Sequence, residues 1–488
     1  MSLQFIFGNS GSGKSHYLYQ QIVEESIRHP EKNYLVLVPE QFTMQTQKDL
    51  CMAHPRGGIM NIDVLSFGRL AHRVFEETGK ERQPILDDEG KNLVLRKIAG
   101  NYEDELTVLK GNLKKQGYIS EVKSVISEFT QYGIDFEQLD SFMEGLNSES
   151  YLYYKLKDIR KVYEGFEDYL HDKYITKEEL LDVLSQNVAE AKMLKDSVIA
   201  MDGFTGFTPV QNRLIGELLK VCDKIMLTVE IDRREDPFVY KHPYQLFALS
   251  KQMVTSLTEV AQEVKVEIDE PVWLCKNPPY RFKENPEMAF LEEELFRYSR
   301  RKYSGEKMQS ISLHEVHTPQ EEAQYVAEEI RRLVREEGYR YREIAVIASD
   351  LNTYADSLEK ACERYEIPVF MDHKKSILLN SFVEYLRSLL VMVEQNYTYE
   401  SVFRYLRTGL CGFTRDEVDR LENYCLALDL KGFKKWDQVW VRKTPMTKKR
   451  RIGRTESAAR AFCGKTDTVA YGSEEEKKDG KRDYTRSL

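Results

Sequence analysis

Eight residues near the N-terminus constrain this chain more than any other feature. A short apolar run, residues 3–7 (LQFIF), leads directly into Gly8-Asn9-Ser10-Gly11-Ser12-Gly13-Lys14-Ser15, and residues 16–27 then carry helical spacing. Strand, glycine-rich turn and helix in that order match the Walker A pattern in the context it requires. The glycines let the backbone turn its amides toward phosphate oxygens, and the following helix directs its positive end to the same place. Lys14 is placed to neutralise the terminal phosphates and Ser15 to hold magnesium, so the chain is expected to bind ATP with magnesium. A flexible Gly/Ser turn would need no lysine followed by a hydroxyl at this spacing.

Apolar runs at residues 34–38 and 62–65, each followed by a helical stretch, extend the pattern into a parallel sheet. From residue 84 the apolar positions recur at steps of three and four, which reads as an all-helical insertion to residue 196. Strand texture resumes at residues 197–202 (SVIAMD) and 224–231 (KIMLTVEI). A carboxylate at the end of a sheet strand is the second requirement of such a site, and Asp202 is the candidate magnesium ligand. The expected class is α/β, with P-loop parallel sheets and all-helical insertions. Residues 1–83 and 197–300 form the first sheet domain, and 84–196 the insertion. Residues 308–375 begin a second α/β domain, with strands expected at 311–316, 343–349 and 368–370, and 376–441 begin a second helical insertion. Residues 442–488 have almost no Leu, Ile or Val and no period, so they are read either as a disordered tail or as a shifted reading frame after a truncated gene.

Composition excludes few function classes. The chain has 488 residues and a formal charge of -9, which gives no global pull toward nucleic acid while leaving room for a local basic groove. No apolar run is long enough to span a bilayer, and a cytoplasmic location is expected. The seven cysteines are scattered, without the spacing of zinc or redox sites. His314 and His317 lack a third donor nearby, and the Arg331-Arg332 and Glu321-Glu322 pairs read first as solvated helix surface.

The order of several segments resembles superfamily 1 helicases, and most closely the AddB subunits of bacterial AddAB helicase-nucleases. The resemblance is carried by GNSGSGKS, LVLVPEQFT (residues 35–43), VLSFGRLA (64–71), MDGFTGFTPVQ (201–211) and residues 343–354 and 402–435. Active motors of this superfamily follow the metal aspartate with a glutamate that activates water, and one residue further on with a glutamine. Here those positions hold Gly203 and Thr205, and only Asp202 and the later Gln211 keep the register. An arginine that touches the terminal phosphate would follow residues 344–348, where this chain has Ser349. The adenine-reading segment that precedes the Walker loop in those motors is missing too, as is a Gly-Asp-x-x-Gln after residues 224–231. The resemblance implies nucleotide binding with little hydrolysis, an AddA-type partner, and DNA contact through Gln41, Thr43, Ser66 and Phe67. The family's iron-sulfur cluster and nuclease domain find no counterpart in these residues. Two other functions fit a Walker loop: a phosphotransferase acting on a small molecule, and an interaction module held together by nucleotide.

Overall fold

The computed structural model describes residues 1–438 except 80–83, 114, 172, 306–307 and 373–374, so the tail expected at residues 442–488 lies outside the described residues. The chain forms two compact units, Met1–Leu313 and His314–Leu488. Among the described residues no helix is long and apolar enough to cross a membrane.

The first unit is built on a parallel sheet. β1 (Ser2–Gly8) is followed by α1 (Lys14–Arg28), β2 (Tyr34–Leu37) by α2 (Thr43–Ala53), and β3 (Ile62–Leu65) by α3 (Phe67–Thr78). A short ladder of β4 (Ile85–Leu86) with β5 (Ile175–Thr176) encloses α4 (Asp88–Asn101), α5 (Gln116–Tyr132), α6 (Phe136–Glu144) and α7 (Tyr151–Leu170). After α8 (Leu180–Asn187) the main sheet resumes with β6 (Val198–Met201), α9 (Pro209–Leu219), β7 (Lys224–Glu230) and α10 (Ala248–Glu263). β8 (Glu267–Ile268) and β9 (Val272–Trp273) then pair with successive parts of β1, and α11 (Pro286–Glu294) follows. The order across the sheet is β3-β2-β6-β7-β1-β8, so β7 separates the strand of the Walker loop from the strand that ends at Asp202.

Alternation along each strand divides the core in two. Leu3, Phe5, Phe7, Leu35, Leu37, Ile199, Met201, Leu227 and Val229 face one side, where α3, α8, α9 and α10 supply Val74, Leu184, Leu218 and Val254. Ile6, Tyr34, Val36, Val198, Ala200 and Met226 face the other, against Leu18 and Ile22 of α1 and Leu50 of α2. Continuing that second set toward the strand ends leads to Asp202 after β6 and to Thr228 and Glu230 on β7. Three polar side chains therefore emerge on the side of α1, beside its N-terminus.

The stretch read as one insertion divides in the structure. Helices α4 to α7 gather their own core around Leu95, Ile98, Val122, Ile126, Ile159 and Phe166, whereas Leu180, Leu184 and Leu194 belong to the main sheet's core. Asp158, buried on α7, accepts the amides of Thr107, Val108 and Leu109 at 2.9, 2.7 and 2.9 Å and so fixes the α4–α5 connection. Near the end of α7, burial first, with Glu179 and Asp168 beside it, pushes the Glu167 carboxyl up to about 7. A carboxyl raised in the fold is stable when protonated, so its contribution is present below about pH 4.5 and is lost as pH rises through about 7. Glu167→Gln is accordingly expected to stabilise the protein by about 1–2 kcal/mol at pH 8 and to change little at pH 5, as read by thermal melts at the two pH values.

The second unit contains α12 (Pro319–Glu336), α13 (Leu351–Arg364), α14 (Ser381–Glu394), α15 (Tyr399–Leu406), α16 (Arg415–Leu428) and the short α17 (Phe433–Trp436). Ala323, Ala327, Ile330 and Leu358 join α12 to α13, while Phe403, Leu406, Leu421 and Trp436 centre a second cluster. The strands expected at residues 311–316, 343–349 and 368–370 are not paired among the described residues. Leu313, Ile347 and Phe370 are 98%, 94% and 91% exposed. A strand is defined by the ladder beside it, and apolar alternation alone does not supply one.

Candidate functional site

β1 delivers the Walker loop to the C-terminal edge of the sheet, and α1 begins at Lys14 directly after it. The first amides of α1 have no intrahelical acceptor and open toward a cavity of about 750 Å³. The loop folds back on itself, with Ser12 N donating to Asn9 O at 3.2 Å. Lys14 Nζ donates to Gly8 O at 3.0 Å and Asn9 O at 2.9 Å, which leaves one of its three donors for a ligand. Burial holds its ammonium below the usual lysine range; the charges of Glu230 and Asp202 oppose that shift, and Arg281 adds to it. The buried Ser12 hydroxyl has no protein partner. An amide-lined loop with a spare hydroxyl and a desolvated cation fits a polyphosphate.

Asp202 sits at the end of β6, buried, and accepts three hydroxyls: Ser15 Oγ at 3.1 Å, Tyr19 OH at 2.7 Å and Thr228 Oγ1 at 2.5 Å. Burial, and then the Asp202 charge, pushes the Tyr19 phenol well above its usual value, so Tyr19 acts here as a donor. Among the described residues no cluster of three or more His, Cys, Asp or Glu gathers to hold a metal. The pair of Ser15 and Asp202 oxygens suits magnesium nonetheless, because that ion keeps waters and takes phosphate oxygens for its other positions.

Gly203, in the position after Asp202, has φ 77°, and a Cβ there would lie 3.6 Å from Pro39 Cδ. A side chain at that φ is strained, so the backbone here is shaped for glycine rather than for a water-activating glutamate. Thr205 lines the cavity. Gln211 is occupied elsewhere, completing a capping box with Thr208 at the start of α9.

Two residues that sequence reasoning missed close the cavity on its other side. Arg281 N donates to Gly11 O at 3.0 Å, and Tyr280 and Arg281 both line the cavity. A Cβ on Gly11, whose φ is 72°, would lie 2.7 Å from Arg281 Cβ, so glycine is needed for that approach. The arginine that touches the terminal phosphate in active motors is replaced here by Ser349; Arg281 lies in the first unit, and only its long-range backbone bond to the Walker loop marks it out.

The four residues assigned to DNA are placed differently from one another. Gln41 is exposed, whereas Thr43 is buried, with its hydroxyl donating to Glu40 O at 3.0 Å. Ser66 caps α3 by accepting Arg69 N. Phe67 is 8% exposed and packs against Phe204 and Phe207, which commits its ring to the core in this structure. Phe42, in the same segment of residues 35–43 but not among those four, is 47% exposed beside Gln41 and near Gly203. Of the other features, Arg332 is tied to Glu329 at 2.6 Å and Glu337 at 2.7 Å, and His314 to the Tyr325 hydroxyl.

Comparison with known proteins adds an independent observation. Residues 5–292 match the family model described as ADDB, N-terminal, and residues 283–442 match that of the UvrD-like helicase C-terminal domain. A protein of Lachnoclostridium phytofermentans named as the B subunit of an ATP-dependent helicase/deoxyribonuclease is 42% identical over 446 residues, which is 91% of this chain and 39% of that protein. Proteins of the same name from Clostridium perfringens and Caldanaerobacter subterraneus subsp. tengcongensis are 34% identical over 90% of this chain, covering 38% and 37% of their own lengths. The chain thus spans about two fifths of the length of the curated relatives it matches.

Proposed function

The chain belongs to the family of AddB N-terminal regions, and from that premise we propose that it is the nucleotide-binding, DNA-contacting portion of the B subunit of an ATP-dependent helicase/deoxyribonuclease. It binds ATP with magnesium and turns it over slowly, and an AddA-type subunit supplies the working motor. The observation that carries this reading is the contrast at the end of β6: Asp202 is in hydrogen-bond contact with the Walker serine, while the next residue is a glycine at positive φ.

Within that reading the loop amides and Lys14 would hold the phosphates, and Ser15 and Asp202 would hold magnesium, which would supply charge neutralisation to the nucleotide. Tyr280 offers an exposed ring to the base, and Arg281 offers a cation to the phosphates. Gln41 and Phe42 are the exposed polar and aromatic groups of the segment after β2, and they suit a single strand by hydrogen bonding and stacking. Size and the second unit speak against a small-molecule phosphotransferase, which needs no such unit.

ATP turnover by the chain with single-stranded DNA, alone and with an AddA-type partner, tests the proposal. The isolated chain is expected to stay below about one turnover per second, the low end for working enzymes. A rate of many per second that depends on Lys14 would rule the reading out.

A further inference from the structure

β7 runs between the strand that feeds the Walker loop and the strand that carries Asp202, with Gly8 registered to Glu230 and Met201 to Leu227. Side chains two apart on a strand share a face, so Thr228 and Glu230 both project on the side of α1. Thr228 is engaged, its hydroxyl donating to Asp202 Oδ1 at 2.5 Å. Glu230, one step nearer the open end, lines the same cavity and takes no hydrogen bond or ion pair from a side chain among the described residues. Three carboxylates border this cavity. Asp202 already accepts three hydroxyls, and Asp49 accepts Gln45 Nε2 at 2.7 Å on α2. Glu230 is the one with its oxygens uncommitted, and of the nearby charges it acts most strongly on Lys14.

We propose that Glu230 takes the place of the missing glutamate as proton acceptor for the water that attacks the terminal phosphate, and so sustains the slow hydrolysis of the bound nucleotide. In that step the water oxygen forms a bond to the terminal phosphorus. The bond from that phosphorus to the bridging oxygen breaks, and the diphosphate leaves with the electron pair. The water proton passes to the Glu230 carboxylate and from there to solvent. Replacing a residue just beyond β6 by one at the end of β7 is geometrically available because β7 lies between β1, which feeds the loop, and β6, which leads to Asp202. This inference rests on the nucleotide-binding reading above.

The test uses the purified chain in excess over magnesium-ATP, measuring single-turnover hydrolysis beside equilibrium affinities for ATP and ADP. Glu230→Gln is expected to slow hydrolysis about 100-fold while both affinities stay within about threefold of the original, since a proton acceptor acts on the chemical step. Glu230→Asp should recover part of the rate. An unchanged rate in Glu230→Gln, or no hydrolysis in the original chain despite normal binding, overturns the inference and leaves the binding reading standing. Affinity for ATP rising tenfold over ADP with no change in rate also overturns it, because Glu230 would then be a charge that repels the terminal phosphate. Failure of the original chain to bind magnesium-ATP at all is the separate result that removes the reading itself.

Discussion

Alanine at position 14 is expected to lower the affinity for magnesium-ATP by about 100-fold, because charge-assisted bonds from one ammonium to phosphate oxygens contribute about 3 kcal/mol. The loss should be confined to binding. Lys14 is desolvated and its ammonium is held below its usual pKa, so at neutral pH the charged side chain costs stability in the empty fold. The sign follows directly: a lysine whose pKa is lowered on folding is disfavoured while protonated, and removing it relieves that cost. Lys14→Ala without nucleotide should therefore melt no lower than the original chain, and only the stabilisation by magnesium-ATP should vanish. Thermal shift with and without nucleotide reads both effects in one experiment.

The second large effect concerns the metal. Asp202→Asn keeps the shape of the side chain and an oxygen for the Ser15 and Thr228 hydroxyls, but it removes the negative charge and presents an amide to Tyr19. Affinity for ATP in the original chain should fall about tenfold or more when magnesium is chelated, whereas Asp202→Asn should respond less than about threefold. Rearranging Tyr19 should cost about 1.5–3 kcal/mol of stability, the usual range for a hydrogen bond to a charged group. A variant that kept the full magnesium effect would place the metal elsewhere.

How much of this can be read in the residues differs between the two units. The Walker loop, the strands at residues 34–38 and 62–65, and Asp202 at a strand end are legible because each rests on local chemistry: a glycine turn, a buried apolar run, a carboxylate where the run stops. Tyr280 and Arg281 are not legible, since their place beside Gly11 depends on the chain returning to β1 through β8 and β9 over more than half the first unit. Phe67 and Phe42 show the same limit at short range. Both are aromatic residues in segments that follow a strand, and it is packing against Phe204 and Phe207 that buries Phe67. Around residues 311–316, 343–349 and 368–370 alternation suggests strands, but pairing is a property of neighbours, and among the described residues none runs beside them. Glu230 carries no signal of its own in the sequence because its meaning lies in strand order, with β7 set between β1 and β6.

The most direct measurement is a calorimetric titration of a non-hydrolysable ATP analogue into the purified chain, with magnesium present and then with chelator. A saturable heat for one nucleotide per chain that weakens sharply in chelator, and is lost in Lys14→Ala, is the result expected of a phosphate cradle formed by the loop before α1. No heat at all, or a heat indifferent to both magnesium and Lys14, would contradict it.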